Sequence, residues 1–141
     1  MSNYPNYRVT VEIVLKKDDK VLIAKRAEDC KVAPGVWCVP AGKVKYDEIP
    51  KDAVIREAKE ETSLDVRIVS ELDCKTTSFK SGDEDAYRLA YTYLVEQLDE
   101  SKDVVLNDEH SEYKWVSKEE LTLDEYSTLL PGHIKNLSRV L

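Results

Sequence analysis

Between Tyr7 and Arg26 the chain reads YRVTVEIVLKKDDKVLIAKR, with Val9, Val11, Ile13 and Leu15 on every second position ahead of a polar break and a second apolar run. A period of two puts those four side chains on one side of an extended backbone, and a slip of one residue would turn them all to the other. The segment therefore predicts a strand, a tight connection through KKDDK and a second strand. Residues 27–34 read as a loop, GVWCVP as a short buried strand and AGKVKYDE as an irregular segment. The period then changes. Pro50 suits a first helical turn, where its missing N–H is not needed, and Ala53, Val54, Ile55 and Ala58 carry a helix to about Thr62. LDVRIVSELDCKTTSF and AYRLAYTYLVEQL, rich in β-branched and aromatic residues, flank the turn KSGDED and predict a hairpin. After a charged loop from Asp99 to Glu109, EYKWVS reads as one more strand. Ser117 and Glu120 make a capping-box pattern for a short helix, and the tail from about Leu129 to Leu141 reads as helical. The sum is a mixed α+β domain whose first helix follows the third strand.

Composition narrows the function. A chain of 141 residues, 42% hydrophobic, is most economically one domain, residues 1–141. Its formal charge of −7 works against a nucleic-acid backbone or an anionic membrane surface, so a phosphate ligand must be met by local cations. No apolar run approaches the roughly 18 residues that span a bilayer, and MSNYPNYRV lacks the apolar stretch of a signal peptide. The expectation is a cytoplasmic protein that binds neither nucleic acid nor membrane, with a homodimer left open. Cys30, Cys38 and Cys74 form no CxxC pair, and their odd number points to reduced thiols in structural positions.

The helix carries an electrostatic oddity. Glu57, Glu60 and Glu61 lie within about a 100° arc of the wheel, bordering the apolar edge formed by Val54, Ile55 and Ala58. Like charges three or four residues apart cost roughly 0.2–0.5 kcal/mol per pair, and acids in a last turn oppose the helix dipole at about 0.3–1 kcal/mol each. One reading is a solvated acidic face relieved by Arg56 and Lys59. The other is a site for a hard divalent cation, since oxygen ligands suit Mg²⁺ or Mn²⁺ and no His/Cys set suggests zinc.

Spacing favours the second reading. Gly42 is followed after five residues by Glu48, and after seven more by Arg56-Glu57-Ala58, then Glu60-Glu61 and Leu64. This pattern resembles the Nudix hydrolase signature, with Ser63 at the place of the usual closing Gly and PAG in place of Pro-Gly-Gly before it. The likeness extends through most of residues 8–121. It implies an α/β/α sandwich around a mixed sheet and Mg²⁺- or Mn²⁺-dependent cleavage of a diphosphate linkage in a small nucleotide substrate. Carried over by position, Glu57, Glu60 and Glu61 become metal ligands together with the Gly42 carbonyl. Arg56 and Glu48 become an orienting pair, with Glu48 as a metal ligand the alternative, and Glu60 is the first candidate to take the proton of the attacking water.

The loop NDEHSEYKW resembles the corresponding loop of GDP-mannose mannosyl hydrolases, in which an oxygen ligand precedes a His base; Glu109 and His110 take those places. On its own, His110 reads as a solvated loop residue. Lys25 and Arg26 stand where family members contact phosphate or nucleotide, while Tyr87, Tyr91 and Tyr93 offer either a stacking surface or core packing. Trp37 and Trp115 read as buried. Three activities follow: hydrolysis at phosphorus, hydrolysis at a sugar carbon, or silent nucleotide binding. The complete glutamate set favours the first.

Overall fold

The computed structural model describes residues 6–141, so the first five residues of MSNYPNYRV lie outside it. Strand β1 (Tyr7–Lys17) turns through Asp18, whose φ of 54° an aspartate tolerates, into β2 (Lys20–Arg26). Two short strands follow, β3 (Trp37–Cys38) and β4 (Ala41–Lys43), then helix α1 (Pro50–Thr62). The hairpin of β5 (Val66–Ser81) and β6 (Glu84–Gln97) closes at Gly82, whose φ of 65° suits a residue without a Cβ. Strand β7 (His110–Val116) precedes two 3₁₀ turns, and α2 (Pro131–Arg139) ends the fold.

Strand β1 organises the sheet. It runs parallel to β6 from Tyr7 beside Tyr87 to Leu15 beside Val95, and its other edge pairs first with β4 and then with β2. Strand β2 in turn pairs antiparallel with both β3 and β7. The mixed sheet has order β3-β2-β1-β6-β5, with β4 against β1 and β7 against β2.

Alternation along β1 and β2 divides the core. Val11, Ile13, Leu15 and Leu22 pack with Ala53, Val54 and Ala58 of α1, whereas Val14, Val21 and Ile23 pack with Trp37, Leu121, Tyr126, Leu129 and Leu137 on the opposite face. The α+β sandwich expected from the sequence is the observed fold.

Local differences have physical causes. AGKVKYDE, expected to be irregular, yields β4, because β1 supplies pairing partners at Thr10, Val11 and Glu12; α1 therefore follows the fourth strand. Ile55, expected on the packed edge of the helix, is 41% exposed. The Ser117 and Glu120 box forms reciprocally, with the Ser117 N–H donating to Glu120 Oε1 at 3.0 Å and the Glu120 N–H donating to Ser117 Oγ at 3.4 Å, but it starts a 3₁₀ turn. Trp37 is buried, while Trp115 is half-buried with the Lys17 ammonium 5.8 Å above its ring.

Helix α1 ends on Ser63, which adopts the left-handed φ of 66° that the usual glycine would favour, and its N–H donates to the Lys59 carbonyl. The Ser63 hydroxyl donates to the Val105 carbonyl at 2.9 Å, and the Val105 N–H donates to the Thr62 carbonyl at 2.9 Å. Strain of about 1 kcal/mol for a left-handed L-residue is thus opposed by a hydrogen bond of about the same worth. Ser63→Gly should therefore lie within about 1 kcal/mol of wild type in urea denaturation, since it removes both terms; a loss well above that would show the hydroxyl to be the dominant one.

Candidate active site

Arg56 projects from α1 toward the segment between β4 and the helix, and all five of its N–H donors find acceptors. Nε and Nη2 grip Glu48 Oε2 and Oε1 at 2.8 and 3.0 Å, Nη1 reaches Glu57 Oε1 at 2.8 Å and Glu60 Oε2 at 3.2 Å, and Nη2 also reaches the Lys43 carbonyl at 2.9 Å. A guanidinium offers no sixth donor, so the arrangement is saturated. Glu48 Oε1 accepts a further bond from the Lys45 N–H at 2.9 Å. The Arg56 hydrogen bonds, followed by that from Lys45, hold Glu48 down at about 2.

The three helix glutamates meet different surroundings. Glu57 is partly buried against Gly42, where an added Cβ would fall inside its carboxylate, so only glycine allows this approach. Burial raises the Glu57 carboxyl despite Arg56. Glu60 has a side chain 51% exposed and, among the described residues, only its bond to Arg56. Glu61 is 2% exposed, and its Oε2 accepts the Ala41 N–H at 3.0 Å. Burial, and after it the Glu109 carboxylate alongside, pushes Glu61 up to about 10. The acids share a helix face as the wheel required, yet Glu57 and Glu60 turn to Arg56 while Glu61 turns inward.

The inward direction leads to His110. Candidate ligand atoms of Glu61, Glu109 and His110 lie within 4.8 Å of one another, while Glu57 and Glu60 stand outside that group. The bond from Val105 to Thr62 fastens the charged loop to the helix exit, and the Ala27 N–H donates to the Glu109 carbonyl at 2.9 Å. These ties bring the loop to the helix, a proximity no local spacing encodes. His110, read from the sequence alone as solvated, opens β7 and is 5% exposed. Burial first, and the Arg26 charge second, lower its pKa.

Other expected contacts divide by face. Lys25 pairs with Trp37 and shares its side of the sheet, away from α1, whereas Arg26 pairs with His110 and its Nε donates to the Val32 carbonyl at 2.8 Å. A cleft of about 760 Å³ opens beside Glu48, with Tyr7, Arg8, Lys43, Lys45 and Tyr91 in its wall. Tyr87 instead meets Tyr7 edge-on, with ring centroids 5.9 Å apart, and Tyr93 is buried with its ring stacked 6.3 Å from Tyr91. Lys43, Lys45 and Cys38, which lies 3.6 Å from His110 Nε2, escaped sequence reasoning. The run of cations in GKVK was the one available signal.

The donor set suits a dication. The buried Glu61 carboxyl stands beside the exposed Glu109, His110 Nδ1 is buried without a partner among the described residues, and Gly42 leaves room for the Glu57 carboxylate. Oxygen donors from Glu57, Glu60, Glu61 and Glu109, with the Gly42 carbonyl, are the chemistry that Mg²⁺ or Mn²⁺ accepts.

Residues 6–137 match the family described as NUDIX domain. Nucleoside triphosphatase NudI of Salmonella agona is 28% identical over 123 residues, spanning 82% of this chain and 86% of the relative. Among solved structures, the MutT protein from Methanosarcina mazei Go1 superposes with a TM-score of 0.73 at 26% identity, covering 99% of this chain and 95% of that one. A MutT NUDIX hydrolase from Burkholderia pseudomallei superposes at 0.76 with 22% identity over 96% and 99%, a likeness of fold.

Glu61 and Glu48 couple stability to pH with opposite signs. Metal-free protein keeps the Glu61 proton up to about 10, whereas an unfolded chain releases it near 4.5, so Glu61 lowers stability as pH rises between those values. Glu48 adds stability above 4.5 that is lost as pH falls toward about 2. The melting temperature of chelator-treated protein should therefore fall from pH 5 to about 9, and Glu61→Gln should flatten that slope. An unchanged slope in the variant would refute the buried-acid account.

Proposed function

The chain belongs to the NUDIX domain family, and on that premise we propose that it hydrolyses the diphosphate linkage of a nucleoside diphosphate bonded to another moiety, by attack of water at phosphorus with Mg²⁺ or Mn²⁺. The observation that carries the reading is the complete acid set: Glu57 lies in the Gly42 cradle and, with Glu60, bonds to the saturated Arg56, while Glu61 is buried against the Ala41 N–H. A bound dication would neutralise charge on the bridge and acidify a bound water. The name of the Salmonella relative, a nucleoside triphosphatase, is consistent with such a substrate. Residues 1–141 are read as one hydrolase domain.

The residues divide the work. Glu57, Glu60, Glu61 and Glu109 supply carboxylates toward metal, with the Gly42 carbonyl beside them. Arg56 and Glu48 fix the β4–α1 segment to the helix, so that Gly42 and Glu57 keep their approach. Glu60, the most exposed of the helix acids, is best placed to take a proton from water. Arg26 on one side, with Arg8, Lys43 and Lys45 in the cleft wall, supplies the local cations that a net charge of −7 makes necessary for a phosphate ligand. Tyr7 and Tyr91 offer ring faces for a base.

A second reading rests on Glu109 beside His110: cleavage of a nucleotide sugar at carbon, with His110 as base. Hydrolysis in ¹⁸O-water separates the two, because the label appears on phosphate in the first case and on the sugar in the second. Glu60→Gln should lower kcat by about 10²–10⁴ in a metal-supplemented screen of nucleoside triphosphates and nucleotide sugars, with its melting temperature within a few degrees of wild type. Full activity in the variant would remove Glu60 from the proton-transfer role.

A further inference from the structure

The described residues bring a nitrogen ligand to the acids that the spacing of the glutamates does not contain. Glu61 leaves the last turn of α1, Glu109 ends the loop fastened to that turn, and His110 opens β7 opposite Arg26. Their candidate ligand atoms converge within 4.8 Å. His110 is 5% exposed, and its Nδ1 has no hydrogen-bond partner among the described residues. A buried polar atom left unpaired is uncommon enough to need an explanation.

The Cys38 thiol meets His110 at one of its two ring nitrogens. Its Sγ lies 3.4 Å from the Ala24 carbonyl and 3.6 Å from His110 Nε2. A thiol has one hydrogen. With that hydrogen donated to the Ala24 carbonyl, the arrangement on which the proposal below rests, the sulfur accepts from His110 Nε2–H. A neutral imidazole protonated at Nε2 carries its free lone pair on Nδ1. The atom without a partner is therefore the atom able to bind a cation.

We propose that His110 is a metal ligand through Nδ1, and that Glu61, Glu109 and His110 form a mixed oxygen and nitrogen pocket that prefers a borderline transition ion such as Mn²⁺, Co²⁺ or Zn²⁺ to Mg²⁺. The proposal rests on the reading of Glu61 and Glu109 as ligands given above, and it gives His110 a role other than base. Imidazole suits the later first-row ions, whereas Mg²⁺ favours oxygen and retained water. Glu57 and Glu60, drawn toward Arg56, stay outside this pocket and provide oxygen donors of their own. Cys38 is a positioning residue: its contact with the far nitrogen fixes the tautomer and the ring orientation, as outer partners of metal-bound histidines do.

The test uses the full chain freed of metal by chelation and titrated calorimetrically with Co²⁺ or Mg²⁺. His110→Ala should weaken Co²⁺ binding by about tenfold or more while changing Mg²⁺ binding by less than about threefold, and Glu61→Gln should weaken both. Pulsed EPR of Mn²⁺-loaded wild-type protein, with histidine labelled by ¹⁵N, reads the ligand directly even where a variant fails to fold. A nitrogen coupling that persists in His133→Ala supports the assignment. Absence of nitrogen coupling, or unchanged Co²⁺ affinity in His110→Ala, overturns the histidine ligand and leaves the carboxylate reading standing. Wild-type protein that binds neither ion, or Glu61→Gln that binds both as wild type does, overturns the two together.

Discussion

Helix α1 has one rotational setting, and two demands fall on it. Ala53, Val54 and Ala58 must face the sheet to close one core, and steps of about 100° per residue then carry Glu61 into the interior with them. A carboxylate taken out of water is expensive unless it is paired or neutralised. The Ala41 N–H and a proton retained on Glu61 are responses to that one constraint, which the neighbouring Glu109 sharpens. The chemistry of the site and the packing of the helix are thus set by the same angle.

The like-charge problem on the helix is solved twice, in two ways. On the outer side Arg56 spends all five donors on Glu48, Glu57, Glu60 and the Lys43 carbonyl, which couples charge neutralisation to the position of the β4–α1 segment. On the inner side no guanidinium pairs with Glu61 among the described residues, and burial makes the acid keep its proton. A cation bound at Glu61 would displace a proton, whereas one bound at Glu57 and Glu60 would compete with a fixed charge, so the two positions would differ in pH dependence as well as in donor type.

Much of this was legible along the chain because it depends on short spacings. The alternation of Val9, Val11, Ile13 and Leu15, the helix entry at Pro50 and the hairpin around Gly82 all rest on periods and turn chemistry that a few residues contain. Glu48 and Arg56, eight residues apart, are joined by a hydrogen bond, a pairing that the family resemblance rather than any local period brought forward. Misreadings fall where a remote partner decides. Residues 41–43 form a strand because β1 offers an edge, Ile55 is exposed because it lies beyond the arc that Ala53, Val54 and Ala58 pack on the sheet, and His110 is buried beside Cys38 and Glu61. Lys25 and Arg26 look equivalent in sequence, and the pleat sends them to opposite faces.

What the sequence determined by itself is the order of elements, the shared face of Glu57, Glu60 and Glu61, and the family, since each follows from residue type at fixed short intervals. Only the tertiary structure decided that Glu61 parts from the other two and meets Glu109 and His110, and that a cleft opens beside Glu48. The reason is physical: contacts between residues some fifty positions apart are chosen by which surfaces the packed sheet and helix bring together, and no local period records that choice.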